Sequence, residues 1–303
     1  MPWMRVWPQI SRKLLMLLVF DIFISVSYVF LGATFLAISS LPLSMVGAAL
    51  SIFLAFRTKS AYDRWWEARI LWGALVNSSR SFARQVLTLV GSGPGSSPIA
   101  NGQSLEIRVL QRQLIVLQIC YVHALRCLLR RQNPYPEIRG HLDGETIAYL
   151  KTQTNVPVAI LQRMGLLLRM AAERGWIDSF RWVALDKTLS DLTDIQGGCE
   201  RIKNTPLPKQ YDYFPRILVV FFCLLLPFGL VEGLELLTPI ASTSLSFIFI
   251  SLDRIGRDIE TPFDNTAHDT PMTSLSRTIE LNLRQLLGEQ TPTEIHPVAG
   301  FVY

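Results

Sequence analysis

The chain has 303 residues, of which 50% are hydrophobic and only 17% are charged, and its formal net charge is +5. Together with a mean hydropathy of +0.29, this composition is atypical of a soluble globular domain. A basic charge can indicate a nucleic-acid partner. Here the distribution of the basic residues favours an interaction with the cytoplasmic leaflet of a membrane instead, and we expect no nucleic-acid partner.

The basic residues avoid two long segments. No Lys or Arg occurs between Lys13 and Arg57 or between Arg216 and Arg254, and these segments hold nearly all of the long apolar runs. Of the 29 basic residues, three precede the first segment, 22 lie between the two and four follow the second. Because Lys and Arg are retained in the cytoplasm, a helical hairpin in each segment predicts a multi-pass protein of the cell membrane with both termini cytoplasmic.

This pattern divides the chain into four parts. Residues 1–56 hold the N-terminal segment and transmembrane helices 1 and 2, and residues 57–213 form a helical cytoplasmic domain. Residues 214–253 hold transmembrane helices 3 and 4, and residues 254–303 form a C-terminal cytoplasmic loop, helix and tail. The predicted fold class is an all-α integral membrane protein with four transmembrane helices in each subunit.

The first apolar segment predicts two helices of unequal length. Leu14–Ile38 is too long for the apolar part of a signal peptide and is predicted to be an uncleaved transmembrane helix. After a turn at residues 39–42, Pro42–Phe56 is short and rich in Gly, Ala and Ser. Such a helix must continue into the polar segment from Arg57 or be shielded from lipid, and it suits an inner lining better than a lipid-facing wall. Asp21 is expected to face the protein interior and to pair with a basic residue.

The segment from Arg57 to about Gln210 predicts helices and no sheet. Helical periodicity covers Arg57–Leu89, Leu105–Arg131, His141–Leu150, Pro157–Arg174 and Ile177–Cys199, the last with a break at Gly197-Gly198. The clearest linker is Gly91–Gly102, which is rich in Gly, Pro and Ser. Four cysteines without CxxC spacing are expected to be buried thiols rather than disulfides or metal ligands.

The second apolar segment again predicts two spans, Ile217–Val231 and Leu236–Leu252, around an outer turn that contains Glu232 and Glu235. Pro227 interrupts the first of them, which a membrane tolerates only where neighbouring protein satisfies the freed carbonyl. A loop at residues 257–271 then leads to a helix from about Met272 to Leu287, capped by Thr273 or Ser274, and to an extended tail at residues 291–303.

Five groups of residues, in order along most of the chain, resemble the bestrophin family and in particular its bacterial branch. They are residues 56–85 (FRTKSAYDRWWEARILWG and the following Asn77, Ser79-Arg80 and Arg84-Gln85), Tyr121–Arg126, Cys199–Ile202 with Thr205–Pro208, Leu224–Gly229, and Ile259–Phe263 with His268-Asp269. The resemblance implies a homopentameric ion channel in the bacterial inner membrane, with four transmembrane helices in each subunit and one pore on the five-fold axis. Its expected partners are the lipid bilayer, further copies of the chain and permeant monovalent ions, with no cofactor.

In the family the pore narrows at a neck of three hydrophobic positions on helix 2. Alignment on Phe56-Arg57 carries these positions to Ala48, Ile52 and Phe56. Their spacing places them on one helix face, and a ring of Ile52 and Phe56 would gate by dewetting. Ala48 is smaller than the usual residue, so we expect a wider upper neck. The alternative is that Ile52 and Phe56 pack against helices of the same subunit.

The resemblance also implies a second constriction, the cytoplasmic aperture, which counting back from Cys199 assigns to Val183. Glu232 and Glu235 are expected at the outer mouth, where carboxylates would concentrate cations. The neck is uncharged, so ion sign stays open, with a lean toward Na⁺ and K⁺ over Cl⁻. The carboxylates of Asp258, Asp264 and Asp269 are too scattered for the calcium site of eukaryotic relatives, and we expect no calcium activation.

Other classes of function have weaker support. Four scattered histidines, with no HExxH, GxSxG or glycine-rich phosphate loop, give no reason to expect an enzyme. His123 is expected in a hydrogen-bonded contact between helices. The remaining alternatives are a membrane-anchored helical scaffold without ion flux and a secondary transporter, and the latter usually contains repeated broken helices that are not evident here.

Overall fold

A computed structural model describes residues 3–91, 101–266 and 268–289 of the chain. Within these ranges all regular structure is helical, and two short 3₁₀ turns occur at Thr34–Leu36 and Glu235–Leu237. The α-helices are α1 (Trp3–Leu31), α2 (Ser40–Leu89), α3 (Asn101–Leu129), α4 (Tyr135–Ile138), α5 (Gly144–Lys151), α6 (Val156–Glu173), α7 (Ser179–Asn204), α8 (Lys209–Leu234), α9 (Thr238–Asp258) and α10 (Met272–Leu286). The predicted tail and most of the predicted linker lie outside the described residues.

The chain forms two compact units. Unit 1 comprises Met1–Trp66 and Pro206–Pro262, and unit 2 comprises Glu67–Thr205 and Phe263–Tyr303. Helix α2 contributes its first half to unit 1 and its second half to unit 2. The transition from apolar to polar sequence at Arg57 therefore falls within one helix of 50 residues. Continuation into the polar segment is one of the two alternatives that the sequence left open.

Several predicted helix limits are wrong for identifiable reasons. Helix α1 ends at Leu31 instead of Ile38 because Gly32 adopts a φ of +62°, a left-handed conformation that terminates helices. The predicted break at Gly197-Gly198 does not occur, and α7 runs through to Asn204. A Cβ atom on Gly198 would lie 3.0 Å from Leu71, so this glycine permits close packing between α7 and α2.

Three helices of unit 2 begin directly after a residue whose side chain caps the helix N-terminus. Asp143, Asn155 and Asp178 accept backbone N–H hydrogen bonds from Thr146, Val158 and Arg181 at the first turns of α5, α6 and α7. The cap at Asp143 explains why α5 begins at Gly144 instead of His141. The predicted caps of α10 are wrong: neither Thr273 nor Ser274 caps it, and the Thr273 hydroxyl accepts a hydrogen bond from Arg130 instead.

Among the residues that the structure describes, four segments are long and apolar enough to cross a membrane: Ile10–Leu31, Thr34–Leu89, Ser104–Leu129 and Gln210–Asp258. Three of them cover the four spans predicted from the sequence. Gln210–Asp258 contains two predicted spans, whereas Ser104–Leu129 was predicted to be cytoplasmic. The apolar window of Ser104–Leu129 is 83% buried inside the protein, against 22%, 17% and 39% for the other three. Its apolar character is therefore explained by the core of unit 2, where α3 packs against α6, α7 and α10.

Unit 1 has a small core and a large uncovered apolar surface. Its core joins α1, α2, α8 and α9 through Ile10, Leu50, Leu54, Phe222 and Ile250. Helix α8 continues through both Pro215 and Pro227. Large apolar side chains of α1, α8 and α9 remain exposed, among them Val19, Phe23, Phe30, Phe221 and Ile248. An uncovered apolar surface of this extent is typical of helices that lie in lipid or against further protein.

Two further predictions are tested directly in the described residues. All four cysteines are free and buried, as predicted, and burial raises the pKa of Cys199 to about 12. Asp21 is fully buried, so the prediction that it faces the interior is confirmed. The predicted pairing of Asp21 with a basic residue is wrong, because its carboxylate accepts a 3.0 Å hydrogen bond from the Thr243 hydroxyl.

Candidate functional site

The first half of α2 has two opposite faces with different surroundings. One face packs inside unit 1 and consists of Leu43, Gly47, Leu50, Leu54, Arg57 and Ala61. The other face carries Ala48, Ile52 and Phe56, and all three are exposed, Ile52 at 59% and Phe56 at 66%. The two sets follow helical spacing and are half a turn apart around the helix axis. Ile52 and Phe56 therefore take no part in the core of unit 1.

Small residues allow α2 to approach α8 closely. A Cβ atom on Gly47 of α2 would lie 2.8 Å from the Phe222 ring of α8, and one on Gly229 of α8 would lie 2.4 Å from Leu43 of α2. Neither glycine can be enlarged without moving its neighbour. The small residues of α2 thus have two environments, since Gly47 is buried against α8 while Ala48 is exposed.

Arg57 anchors the buried face of α2 immediately after Phe56. Its side chain is only 1% exposed and lies among three carboxylates. Arg57 Nη1 donates to Asp253 Oδ1 at 2.7 Å, and Nη2 donates to Asp212 Oδ1 at 2.8 Å and lies 3.5 Å from Glu260 Oε2. These carboxylates belong to α9, α8 and the segment after α9, so a single guanidinium fixes α2 to both neighbouring helices.

The charges around Arg57 form a wider network. Asp253 also binds Arg257 at 2.7 Å, and the Arg64 Nε atom donates to the Glu260 carbonyl at 3.3 Å. Burial raises the pKa of Glu260, and the neighbouring Arg57 guanidinium opposes that rise. Sequence analysis missed Arg57 because it was taken as the first residue of a cytoplasmic segment. Its position could have revealed it, because Arg57 lies at helical spacing from Leu50, Leu54 and Ala61 and therefore on the same buried face of α2.

The other predicted site residues belong to other elements of the chain. Val183, in the first turns of α7 in unit 2, is 69% exposed. Glu232 and Glu235 are both exposed in unit 1, at the turn between α8 and α9, where Glu235 adopts a φ of +45°. The Ser25 hydroxyl of α1 donates to the Glu235 carbonyl at 2.7 Å and holds this turn.

The carboxylates considered for calcium already have partners. Asp258 pairs with Arg254 at 2.8 Å, Asp264 pairs with Lys203 at 2.6 Å, and Asp269 accepts a 3.0 Å hydrogen bond from the Thr266 amide. In the described part of the chain, no group of three or more His, Cys, Asp or Glu side chains is arranged to hold a metal ion.

His123 joins α3 to α10, which confirms its predicted role as a contact between helices. Its Nε2 atom lies 3.2 Å from Glu280 Oε2, and Arg277 and Arg284 bind the same carboxylate at 2.6 and 2.9 Å. Burial alone would raise the pKa of Glu280, but hydrogen bonds from His123, Arg284 and Arg277 lower it far below its ordinary value. Glu280 is thus a buried anion in unit 2.

Comparison with known proteins identifies the family. The model of a family described as bacterial/fungal bestrophin protein matches residues 3–285. The chain belongs to the bacterial/fungal bestrophin family. This match covers α1 to α10 almost completely, including the exposed stripe of α2 and the Arg57 network.

Curated bestrophin relatives cover most of the chain. One is the voltage-dependent anion channel-forming protein RSc3414 of Ralstonia nicotianae, 36% identical over 83% of this chain and 78% of its own length. Another is the voltage-dependent anion channel-forming protein YneE of Escherichia coli K12, 35% identical over 95% of this chain and 90% of its own.

A solved structure has the same fold. The crystal structure of a bacterial bestrophin homologue from Klebsiella pneumoniae is 28% identical to this chain and covers 93% of it and 99% of the solved chain, with a TM-score of 0.83. The family resemblance inferred from the five groups of residues is confirmed.

Proposed function

We propose that this bestrophin chain assembles as a homopentamer in the bacterial inner membrane and conducts monovalent ions passively through an axial pore. The observation that carries the proposal is the exposed stripe of Ala48, Ile52 and Phe56, which lies opposite the face of α2 that packs inside its own unit. Family membership and the channel names of the curated relatives support the same function.

The stripe fits a pore neck. Around a five-fold axis, the Ile52 and Phe56 side chains of five copies form an apolar ring. An ion that enters such a ring loses hydration water and finds no replacing ligand, so the ring gates by dewetting. Ala48 leaves the outer end of the neck wider. Arg57 follows Phe56 directly and fixes the helix at this point to α8 and α9.

The remaining predicted features complete the proposal. Val183, exposed on α7, sets a second constriction, the cytoplasmic aperture. Residues 57–213 form the cytoplasmic domain, and residues 254–303 follow the last span on the same side. Both termini are cytoplasmic because the basic residues lie outside the two apolar segments.

Ion sign is decided outside the neck, because Ala48, Ile52 and Phe56 carry no charge. Exposed Glu232 and Glu235 at the turn between α8 and α9 favour cations at the outer mouth. The second candidate is an anion channel of the same fold, which the printed names of the relatives favour. Activation is independent of calcium, since Asp258, Asp264 and Asp269 are occupied by protein partners.

Planar-bilayer recording in asymmetric NaCl tests the function. Wild type is compared with Ile52→Ala and with Val46→Ala, a matched control that trims another exposed side chain of α2 away from the stripe. Larger currents in Ile52→Ala alone support the neck, and the reversal potential gives the ion sign. An intact oligomer that carries no current in any variant supports the scaffold and contradicts the channel.

A further inference from the structure

Unit 1 contains a groove lined by side chains of α1, α8 and α9. Its basic part is a cavity of about 340 Å³ lined by basic side chains of all three helices, Lys13, Arg216, Arg254 and Arg257. A second cavity, of about 250 Å³, shares Lys13, Arg216 and Arg257 with the first and is otherwise lined mainly by apolar side chains. The shared lining makes the two cavities one groove with a basic end and an apolar end.

The same order of residues on each helix produces this polarity. Lys13 is followed on one face of α1 by Met16 and Leu17, and Arg216 is followed on one face of α8 by Val219 and Val220. Residues three and four positions apart share a helix face, so each of these two helices has a cation with apolar side chains one turn further along the same face. Helix α9 runs in the opposite sense, from Ile250 to Arg257.

The positive charge of the groove is only partly neutralised by the protein. Its two lining carboxylates are already engaged, Asp258 by Arg254 at 2.8 Å and Asp253 by Arg257 at 2.7 Å. Asp253 is shared with Arg57 as well. Lys13 and Arg216 are exposed, and neither has a carboxylate partner among the described residues. The four cations therefore exceed the two anions.

We propose that this groove binds an anionic phospholipid. Lys13, Arg216 and the arginines of α9 hold the headgroup phosphate, and an acyl chain lies along Met16, Val219 and Val220. Lysine and arginine between membrane helices bind anionic headgroups with charge and several N–H donors. A free phosphate ion would use the basic end alone and leave the apolar end without a ligand. This binding does not depend on ion conduction.

Native mass spectrometry of the purified full chain tests the proposal. The protein is titrated with dioleoyl phosphatidylglycerol and with dioleoyl phosphatidylcholine, which differ in net charge but not in acyl chains. The test variant is Lys13→Gln/Arg216→Gln. The matched control is Arg12→Gln/Arg108→Gln, which removes two exposed cations that do not line the groove. Inorganic phosphate is added as a competitor in a separate titration.

The expected result is preferential binding of phosphatidylglycerol by wild type and control, with roughly tenfold or greater weakening in the test variant. Lys13→Arg/Arg216→Lys, which retains both charges, should restore binding and shows that the loss is not caused by misfolding. Equal weakening in the control, or no preference over phosphatidylcholine, overturns the proposal. A second result would also overturn the proposal. If inorganic phosphate displaces phosphatidylglycerol, and if Val220→Ser at the apolar end does not change the affinity for phosphatidylglycerol, the site binds free phosphate.

Discussion

Arg57 on α2 and Asp253 on α9 form a buried ion pair, with Arg57 Nη1 2.7 Å from Asp253 Oδ1 and the side chains only 1% and 5% exposed. The residues are 196 positions apart in the chain. Arg57 follows Phe56, the last residue of the exposed stripe, so the pair fixes one end of the proposed neck to α9.

Replacing Arg57 by Met should destabilise unit 1 strongly. The change leaves Asp253 buried without one of its two cations, and loss of one partner of a buried ion pair costs about 3 kcal/mol or more. Thermal unfolding in detergent measures the effect. The control is Lys59→Met, which breaks an exposed pair with Asp63 worth about 0–1 kcal/mol. A melting temperature lowered equally by both changes would contradict the anchoring role of Arg57.

Two adjacent substitutions should separate stability from current. Gly47→Leu introduces a side chain where a Cβ atom alone would lie 2.8 Å from Phe222, so overpacking of about 1–3 kcal/mol is expected. Ala48→Leu enlarges an exposed residue of the stripe, which should leave the melting temperature unchanged and reduce single-channel current. Thermal unfolding and bilayer recording of both variants measure the two effects. A loss of stability in Ala48→Leu equal to that in Gly47→Leu would rule out this division.

The sequence predicted which segments are helical better than it predicted where each helix ends and what each helix packs against. Hydropathy, helical periodicity and cysteine spacing were sufficient for the long apolar helices of unit 1, the helices of unit 2 and the buried cysteines. They failed where a glycine had a tertiary role: Gly32 ends α1 by its positive φ, whereas Gly198 packs beside Leu71 and breaks nothing. Hydropathy alone also does not distinguish Ser104–Leu129, a core helix of unit 2, from a membrane span.

On α2, the exposed face of the candidate site was predicted from the sequence, whereas the buried face with Arg57 was not. The family resemblance supplied Ala48, Ile52 and Phe56, and their exposure agrees with a surface that needs a partner or a pore. Arg57 was missed because its carboxylates lie far away in sequence, on α8, on α9 and after α9. The groove of Lys13 and Arg216 was missed for the same reason, since it is assembled from three helices.

Unit 2 should lose stability in acid through Glu280. Its carboxylate is 3% exposed and bound by His123, Arg277 and Arg284, which lower its folded-state pKa far below the ordinary 4.5. The unfolded state therefore takes up the proton first. The stabilising contribution is complete above about pH 4.5 and is lost as pH falls below that value.

Unfolding measured between neutral and acidic pH tests this dependence. Glu280→Gln should be less stable at neutral pH and should have a flatter pH profile than wild type below about pH 4.5. The control is Glu173→Gln, which removes an exposed carboxylate paired with Arg169. An identical acid slope in wild type and Glu280→Gln would show that other groups cause the loss.

Val183→Ala should change the current if this side chain forms the cytoplasmic aperture. A smaller residue widens the constriction, so larger single-channel current or altered relative permeability is expected in bilayer recording. Val158→Ala on α6 is the matched control, because it trims another exposed valine of unit 2. Unchanged current in Val183→Ala, with the control also unchanged, would remove Val183 from the aperture.

The most direct test of the pore is chemical modification of Ile52→Cys during current recording. The four native cysteines are buried, so wild type should not respond to a cationic methanethiosulfonate reagent. The proposed neck predicts that the reagent changes the current of Ile52→Cys and leaves Val46→Cys, exposed on another side of α2, unaffected. Equal responses of the two variants, or no response of Ile52→Cys in a conducting channel, would contradict a pore lined by Ala48, Ile52 and Phe56.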